Sequence, residues 1–270
     1  MTSAAREIAP AKLNLALHVR GRLPDERHSI ETIYAFCTDG DRLSAEPADA
    51  LTLDVTGPFA AELDSGEDNL VLRAARALAD AAGVKQGAAI GLQKNLPVAS
   101  GIGGGSADAA ATLRLLTSLW RIDPRHADTV APTLGSDVPA CLLSLPARGE
   151  GGGEQLTLID LSDLSGTPVL LVNPRVPLST GDVFALWDGT DNGPLDDWRD
   201  GINGLEAPAT RLAPQIETVL AWLSAQRDVN FVRMSGSGAT CFALFGSEAA
   251  RDSAEELVPR EWWRLATSLR

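Results

Sequence analysis

The segment from Pro97 to Ala110 reads Pro-Val-Ala-Ser-Gly-Ile-Gly-Gly-Gly-Ser-Ala-Asp-Ala-Ala, and it constrains the fold of this chain more than any other stretch. Four glycines in five positions let the backbone take left-handed conformations and approach a ligand with no Cβ in the way. Directly behind them, Ser106 to Trp120 is predicted as a helix with Ala110, Leu113 and Leu116 on one face. A glycine run that opens a helix leaves unpaired N–H groups at the positive end of the helix dipole, an anion site suited to nucleotide phosphates. A merely flexible loop with a serine cap uses the same residues, but glycine density and the strong helix favour phosphate binding.

Single positions exclude the common phosphate loops. The P-loop of nucleoside triphosphatases requires a lysine and a hydroxyl residue after its last glycine, whereas Gly105 is followed by Ser106 and Ala107. A dinucleotide fingerprint needs glycine where Ser106 stands. A serine nucleophile elbow fails because position 108 is aspartate, and the signatures of protein kinases are missing.

Around this run the chain reads as alternating strands and helices. Leu13, Leu15, Leu17 and Val19 alternate with Lys12, Asn14 and His18, so Ala11 to Val19 is predicted as a strand with one core face and one polar face. Ile30 to Phe36, Leu51 to Val55 and Ala88 to Gln93 follow as strands. Asp68 and Asn69 cap an alanine-rich helix from Leu70 to Ala82 that Gly83 ends. The stretch Arg148 to Glu154 is the clearest composition break and reads as a flexible hairpin or linker. Beyond it come a strand at Pro168 to Asn173, a helix at Ile216 to Ala225, a strand-turn-strand at Val232 to Phe245 and a helix at Arg251 to Leu257. The pattern predicts an α+β (α/β layered) protein with domains at 1–152 and 153–270.

Charge and cysteine usage narrow the function classes. The 270 residues carry 23 basic and 36 acidic side chains, a net charge of −13. Such a surface disfavours nucleic acid and anionic membrane as partners, so an anionic substrate needs local cations or helix ends. Cys37, Cys141 and Cys241 are odd in number and far apart, which fits a reducing compartment without disulfides. The three histidines are too scattered for a metal cluster, and Arg6, Glu7 and Lys12 interrupt any signal-peptide core. A cytoplasmic, soluble protein is expected.

The run Gly101 to Ala110 resembles the second signature of the GHMP kinases, the family named for galactokinase, homoserine, mevalonate and phosphomevalonate kinases. Pro10-Ala-Lys-Leu-Asn-Leu resembles the first signature and Ser235-Gly-Ser-Gly-Ala-Thr-Cys the third, in the family's order. Glu67 to Ala75 and Gly135-Ser-Asp-Val-Pro sharpen the resemblance to the branch that acts on a cytidine diphosphate ester of methylerythritol. The resemblance implies a two-domain GHMP-kinase fold: an N-terminal ribosomal-protein-S5-like domain, a C-terminal ferredoxin-like domain, and an active site in the cleft between them.

For function, the resemblance implies ATP-dependent phosphorylation of a hydroxyl on the methylerythritol unit, with Mg²⁺, by a monomer or weak homodimer. It implies that Lys12 and Asp137 act at the transfer site; a structural ion pair is the alternative for the two. Asn69, Leu70 and Lys94 are expected at adenine and ribose, and Pro97, Gly101, Gly103, Gly104, Gly105 and Ser106 at the phosphates. Many relatives carry two hydroxyls where this chain has Ser106-Ala107, so phosphates and water are expected to hold the ion, and no protein residue is assigned to metal. On the substrate side His28 matches the residue that reads the cytosine edge and Phe184 the one that stacks on the base, with Thr180 and Asn14 as further contacts. In this branch a glycine and a tyrosine precede that histidine; here Glu26 and Arg27 stand there, so Arg27 is expected to stack on the base opposite Phe184 and the turn to be redrawn. A homoserine- or mevalonate-type kinase, or a non-catalytic nucleotide-binding protein on this fold, is the alternative; a dinucleotide-dependent oxidoreductase is more distant.

Overall fold

Period-two alternation at the start of the chain produces a strand, but one with both faces buried. In the computed structural model, which describes residues 5–63 and 66–270, residues 9–19 are buried without interruption. Their polar face is covered too: Lys12, Asn14 and His18 are 3%, 2% and 6% exposed. Buried polar side chains persist only when hydrogen-bonded, and these are. His18 Nδ1 lies 2.9 Å from the Gly193 carbonyl, and the Ile202 N–H is directed at its Nε2.

In chain order the elements are β1 (Ala5–Arg22), β2 (His28–Ala48), β3 (Thr52–Thr56), α1 (Leu70–Ala82), β4 (Gly87–Gln93), α2 (Gly104–Trp120), α3 (Arg125–Leu134), α4 (Val138–Leu143), β5 (Ala147–Glu150) and β6 (Gln155–Leu158). They continue as β7 (Pro168–Asn173), α5 (Thr180–Ala185), α6 (Glu206–Leu212), α7 (Gln215–Ser224), β8 (Val229–Met234), β9 (Cys241–Phe245), α8 (Glu248–Leu257) and β10 (Trp263–Ser268). The described residues form two compact units, and both are discontinuous in sequence. The first comprises the described residues of Met1–Ala11, Asp39–Val98 and Gly103–Ser144; the second comprises Lys12–Thr38, Ala99–Ile102 and Leu145–Arg270. The long strands β1 and β2 each give one part to either unit.

In the first unit β4 pairs antiparallel with the second half of β2, from Arg42 opposite Gln93 to Ala48 opposite Gly87, and parallel with β3. Helices α1 and α2 pack together, and α4 packs on α2. Asn69 caps α1 by accepting from the Val71 N–H at 2.9 Å, and Gly83 ends it at φ 65°, as the sequence predicts. Leu78 of α1 and Leu113 and Leu116 of α2 are fully buried. Each contributes about 1.5–3 kcal/mol by leaving water.

The second unit contains the order β7-α7-β8-β9-α8-β10, with α5 and α6 inserted ahead of α7. Its four-stranded antiparallel sheet runs β10-β7-β9-β8. A β-α-β-β-α-β unit with its last strand beside its first is the ferredoxin-like topology. Its core joins Leu170 and Val172 of β7 to Ile216, Val219 and Leu223 of α7 and to Phe245 of β9. The composition break at Arg148–Glu154 is a tight β5–β6 hairpin and not a linker. The Ile30 N–H donates to the Gly151 carbonyl at 2.7 Å and the Tyr34 hydroxyl to that of Gly153 at 3.3 Å.

The turn joining β1 and β2 holds Glu26 in a conformation that glycine takes more readily. Leu23 and Arg27 pair by their backbones at 2.7 Å, and Glu26 takes φ 69°, the left-handed region that a Cβ disfavours. Its side chain is 87% exposed and has little packing to lose. Glu26→Gly is therefore expected to stabilise the protein by about 0.5–1 kcal/mol, the left-handed cost less the extra entropy of an unfolded glycine. The melting temperature should rise by about 1–3 °C. An unchanged or lower value in a thermal melt would show that the turn stores no strain.

Candidate functional site

Helix α2 begins at Gly104, two residues earlier than the sequence predicts, because Gly103 at φ 66° already turns the chain into it. The first helical bond closes from the Ala107 N–H to the Gly103 carbonyl at 2.7 Å. Ser106 is thus inside the first turn and is not the cap. The N–H groups of Gly104, Gly105 and Ser106 precede that bond and lie at the positive end of a 17-residue helix. The glycines keep the surface over them bare: a Cβ at Gly105 would find only Leu70 Cδ2, at 4.0 Å, whereas one at Gly104 would press on Lys94 Nζ at 3.1 Å.

Lys94 is held beneath this turn and not at its surface. Only 1% exposed, its ammonium donates to Asp41 at 2.5 Å and to Asp108 at 2.6 Å. The second Asp41 oxygen accepts from the N–H groups of Asn95 at 2.5 Å and Leu96 at 2.8 Å. Burial alone would lower the Lys94 ammonium, but Asp108 and Asp41 outweigh it and hold it above its ordinary value. Burial pushes the Asp108 carboxyl up to about 8, with Asp41 adding to the shift and Lys94 opposing it.

Beside the turn a cavity of about 230 Å³ is lined by Leu63, Asp68, Asn69, Leu70, Val71, Gly105 and Asp108. Asn69, Leu70 and Gly105 were expected at a nucleotide, and the structure brings them to one wall. Asn69 serves two ends, since its side chain also caps α1. Leu63 and Asp108 were not singled out; Asp108 lies in the signature itself, but no local pattern shows that it lines the cavity. Pro97 is buried at the entry to the run. Asp137 directly precedes α4 in this same unit, half-buried, with its carbonyl accepting from the Cys141 N–H at 3.0 Å.

In the second unit the first signature, the early part of the glycine run and the third signature are hydrogen-bonded together. Lys12 donates to Asn14 Oδ1 at 2.9 Å and lies 5.2 Å over the Tyr34 ring. Asn14 donates from Nδ2 to Thr32 at 2.8 Å and from its backbone to the Ser235 hydroxyl at 3.1 Å. Ser235 in turn donates to the Gly101 carbonyl at 3.0 Å, and the Thr240 N–H to that of Ser100 at 3.1 Å. The Ser235–Thr240 turn is therefore both a hairpin turn and a brace for residues 99–102. Gly101, at φ 77°, has no room for a side chain: its Cβ would lie 2.4 Å from the Ser235 carbonyl oxygen.

His28 and Phe184 meet face to face, with centroids 4.6 Å apart and planes 28° apart, and Trp187 closes on the His28 ring edge-on at 5.4 Å. The sequence reading missed Trp187, which lies three residues beyond Phe184, just past the end of α5. His28 Nε2 is buried with no hydrogen-bond partner among the described residues. Burial, with Arg22 nearby, holds the imidazole below the usual histidine range, so it is neutral at physiological pH. Thr180 pairs with Ser237 at 2.8 Å. Arg27 is not set against Phe184: its half-exposed guanidinium is engaged by Asp25 at 2.8 Å and Glu154 at 3.3 Å, because two carboxylates within reach outcompete an aromatic face already covered by His28.

The chain matches the family descriptions "GHMP kinases N terminal domain" over residues 69–144 and "GHMP kinases C terminal" over residues 190–264. It is 54% identical to the 4-diphosphocytidyl-2-C-methyl-D-erythritol kinase of Rhizorhabdus wittichii, across 98% of this chain and 94% of that one. A crystal structure of 4-(cytidine 5'-diphospho)-2C-methyl-D-erythritol kinase superposes with a TM-score of 0.82 at 33% identity, covering 98% of each chain. A homoserine kinase from Cytophaga hutchinsonii matches with a TM-score of 0.72 at 15% identity, over 100% of this chain and 96% of that one, and shows the shared fold alone. With both family domains matched in order and close relatives over nearly its whole length, the chain belongs to the GHMP kinase family and, within it, to the 4-diphosphocytidyl-2-C-methyl-D-erythritol kinases.

Proposed function

We propose that this protein transfers the γ-phosphoryl group of ATP to the 2-hydroxyl of 4-diphosphocytidyl-2-C-methyl-D-erythritol, a step of the non-mevalonate route to isoprenoid precursors. The observation that carries the nucleotide half is the bare N–H cradle of Gly103 to Ser106 beside an apolar cavity. Three unpaired donors and a helix dipole suit phosphates, and a mostly apolar wall suits a nucleoside. The names of the relatives, together with the neutral His28 boxed by Phe184 and Trp187, support the cytidine half. Among the described residues no group of three or more His, Cys, Asp or Glu could hold a metal ion. We propose that Mg²⁺ arrives on the phosphates, with the Ser106 hydroxyl as a nearby oxygen, and would neutralise charge on the triphosphate.

Phosphoryl transfer depends on positioning and on electrostatic stabilisation of the migrating group, with a base near the attacking hydroxyl. We assign the base or charged anchor to Asp137 and the cationic partner to Lys12. Asn14 orients Lys12 through its Oδ1. Base recognition falls to His28 and Phe184, with Thr180 as a neighbouring hydroxyl; Arg27 joins them only by releasing Asp25 and Glu154. The modules 1–152 and 153–270 are proposed as the ATP-binding and C-terminal GHMP domains, supported by family matches on either side of that boundary. A cytoplasmic site fits three buried free cysteines and the net charge of −13, and no helix among the described residues is long and apolar enough to cross a membrane. We propose a monomer or weak homodimer.

Turnover of ATP with a panel of the cytidine substrate, homoserine and mevalonate tests the assignment directly; phosphorylation of either of the last two in preference would overturn it. Asp137→Asn should lower kcat by about 10²–10⁴-fold while ATP still binds. A variant that keeps more than about half the wild-type rate excludes both a base and a charged anchor at this position. His28→Ala should raise KM for the cytidine substrate by about tenfold and leave KM for ATP alone; equal rises in both would remove it from base reading. The two ends of the glycine run should respond differently to alanine. Gly101→Ala meets backbone on every side and should unfold at lower temperature, whereas Gly105→Ala should keep its melting temperature and raise KM for ATP. The reverse pattern would contradict the division between a scaffold glycine and a ligand glycine.

A further inference from the structure

Along β1 the hydrogen-bond partners change where the strand reaches the first signature. Toward its end they are backbone groups. The Leu17 N–H donates to the Ile202 carbonyl at 2.9 Å, and the N–H groups of Gly204 and Asn192 donate to the carbonyls of Leu17 at 2.7 Å and Val19 at 3.0 Å. At Asn14 and Leu15 side chains near the end of β8 take over. The Asn14 N–H donates to the Ser235 hydroxyl at 3.1 Å, and the Leu15 carbonyl accepts from Arg233 Nη1. Ser235 belongs to the third signature; Arg233, two residues before it, was not singled out.

Arg233 ties three segments of the second unit together. Besides the Leu15 carbonyl, its guanidinium donates from Nη1 to the Trp198 carbonyl at 2.9 Å and from Nη2 to the Gly201 carbonyl. Strand alternation sets Phe231 on the same side of β8, and the guanidinium carbon lies 4.4 Å from the centre of that ring. All three acceptors are neutral carbonyls. Burial lowers the guanidinium to about 10, and Glu206 at the start of α6 opposes the shift only in part. A half-buried cation set on carbonyls is a costly way to join strands. What it gains is geometry, because a planar fork of five donors meets several carbonyls at fixed angles and the point charge of a lysine does not.

From Leu15 the constraint passes to Lys12 in two contacts. Asn14 donates from Nδ2 to the Thr32 hydroxyl at 2.8 Å, and Thr32 donates to the Ala16 carbonyl at 2.7 Å, so the peptides on either side of Leu15 are fixed as well. The remaining Asn14 oxygen accepts from the Lys12 ammonium at 2.9 Å. We propose that Arg233 is a positioning residue for phosphoryl transfer: by holding the Leu15 carbonyl it sets the path of β1 at Asn14, and Asn14 sets the Lys12 ammonium. The inference rests on the reading that Lys12 acts at the transfer site. A displacement of about 1 Å in a reacting group costs on the order of 10²-fold in rate, so a slack β1 is expected to show in kcat before it shows in binding.

The test is a double-mutant cycle on the full-length protein, with wild type, Arg233→Lys, Lys12→Ala and the double variant compared by steady-state transfer from radiolabelled ATP and by thermal melts. Arg233→Lys keeps a cation and loses the fork. It should lower kcat about tenfold and leave KM for ATP and for the cytidine substrate within about twofold. In the Lys12→Ala background the same change should cost no further kcat, because the group it positions is gone, while the melting temperature falls equally in both backgrounds. A merely structural tie would give the same fold-loss of kcat with and without Lys12, and that result would overturn the proposal. So would an Arg233→Lys enzyme with kcat within about twofold of wild type, or one whose loss lies in KM. Should Arg233→Lys fail to fold, Arg233→Gln takes its place in the same cycle; should Lys12→Ala show no measurable rate, the split between kcat and KM decides alone. A Lys12→Ala enzyme with the wild-type rate would instead bring down the reading of Lys12, and the positioning role with it.

Discussion

Lys94, Asp41 and Asp108 meet with almost no access to water, and the glycine turn is built over them. Taking charges out of water costs several kcal/mol each, so such a cluster is no simple source of stability. Its effect is to specify position. Asp41 draws in the backbone of Asn95 and Leu96 at the entry to the glycine run, and Asp108 holds the first turn of α2 from inside. Removing Asp41 would leave the Lys94 ammonium without its charged partner in the interior, a loss of about 3–5 kcal/mol. The phosphate cradle is thus a flexible sequence on a rigid electrostatic base.

A second constraint acts on the earlier part of the run, within the second unit. Ser235 and Thr240 hydrogen-bond to the carbonyls of Gly101 and Ser100. That contact spans more than 130 residues of sequence and explains why Gly101 is glycine: packing leaves it no volume for a side chain. The glycines of one run therefore answer to different causes. Gly101 is small because backbone lies against it, and Gly105 is small although space lies open around it.

The base-reading region shows how local charge and aromatic packing compete. Arg27 pairs with the carboxylates of Asp25 and Glu154 while His28 occupies the Phe184 face. Glu154 comes from the β5–β6 hairpin, whose three consecutive glycines let it fold back on β2. The same hairpin gives the carbonyl that pairs with Ile30.

Local sequence determined the elements whose signals are local. Asn69 and Gly83 bracket α1, the glycine run opens α2, and apolar alternation marks β1, β4 and β7, because caps, left-handed turns and periodicity are set within a few residues. The ordered signatures likewise disclosed the family. Only the tertiary structure decided what lay between distant residues. It buried the polar face of β1, chose the hairpin over the linker at the composition break, and set the Lys94 ammonium in an ion cluster. It drew Asp108 and Leu63 into one cavity wall and set Trp187 against His28. A side chain's partner is chosen by burial and by the charges that burial brings near, and neither quantity exists along the chain until it folds.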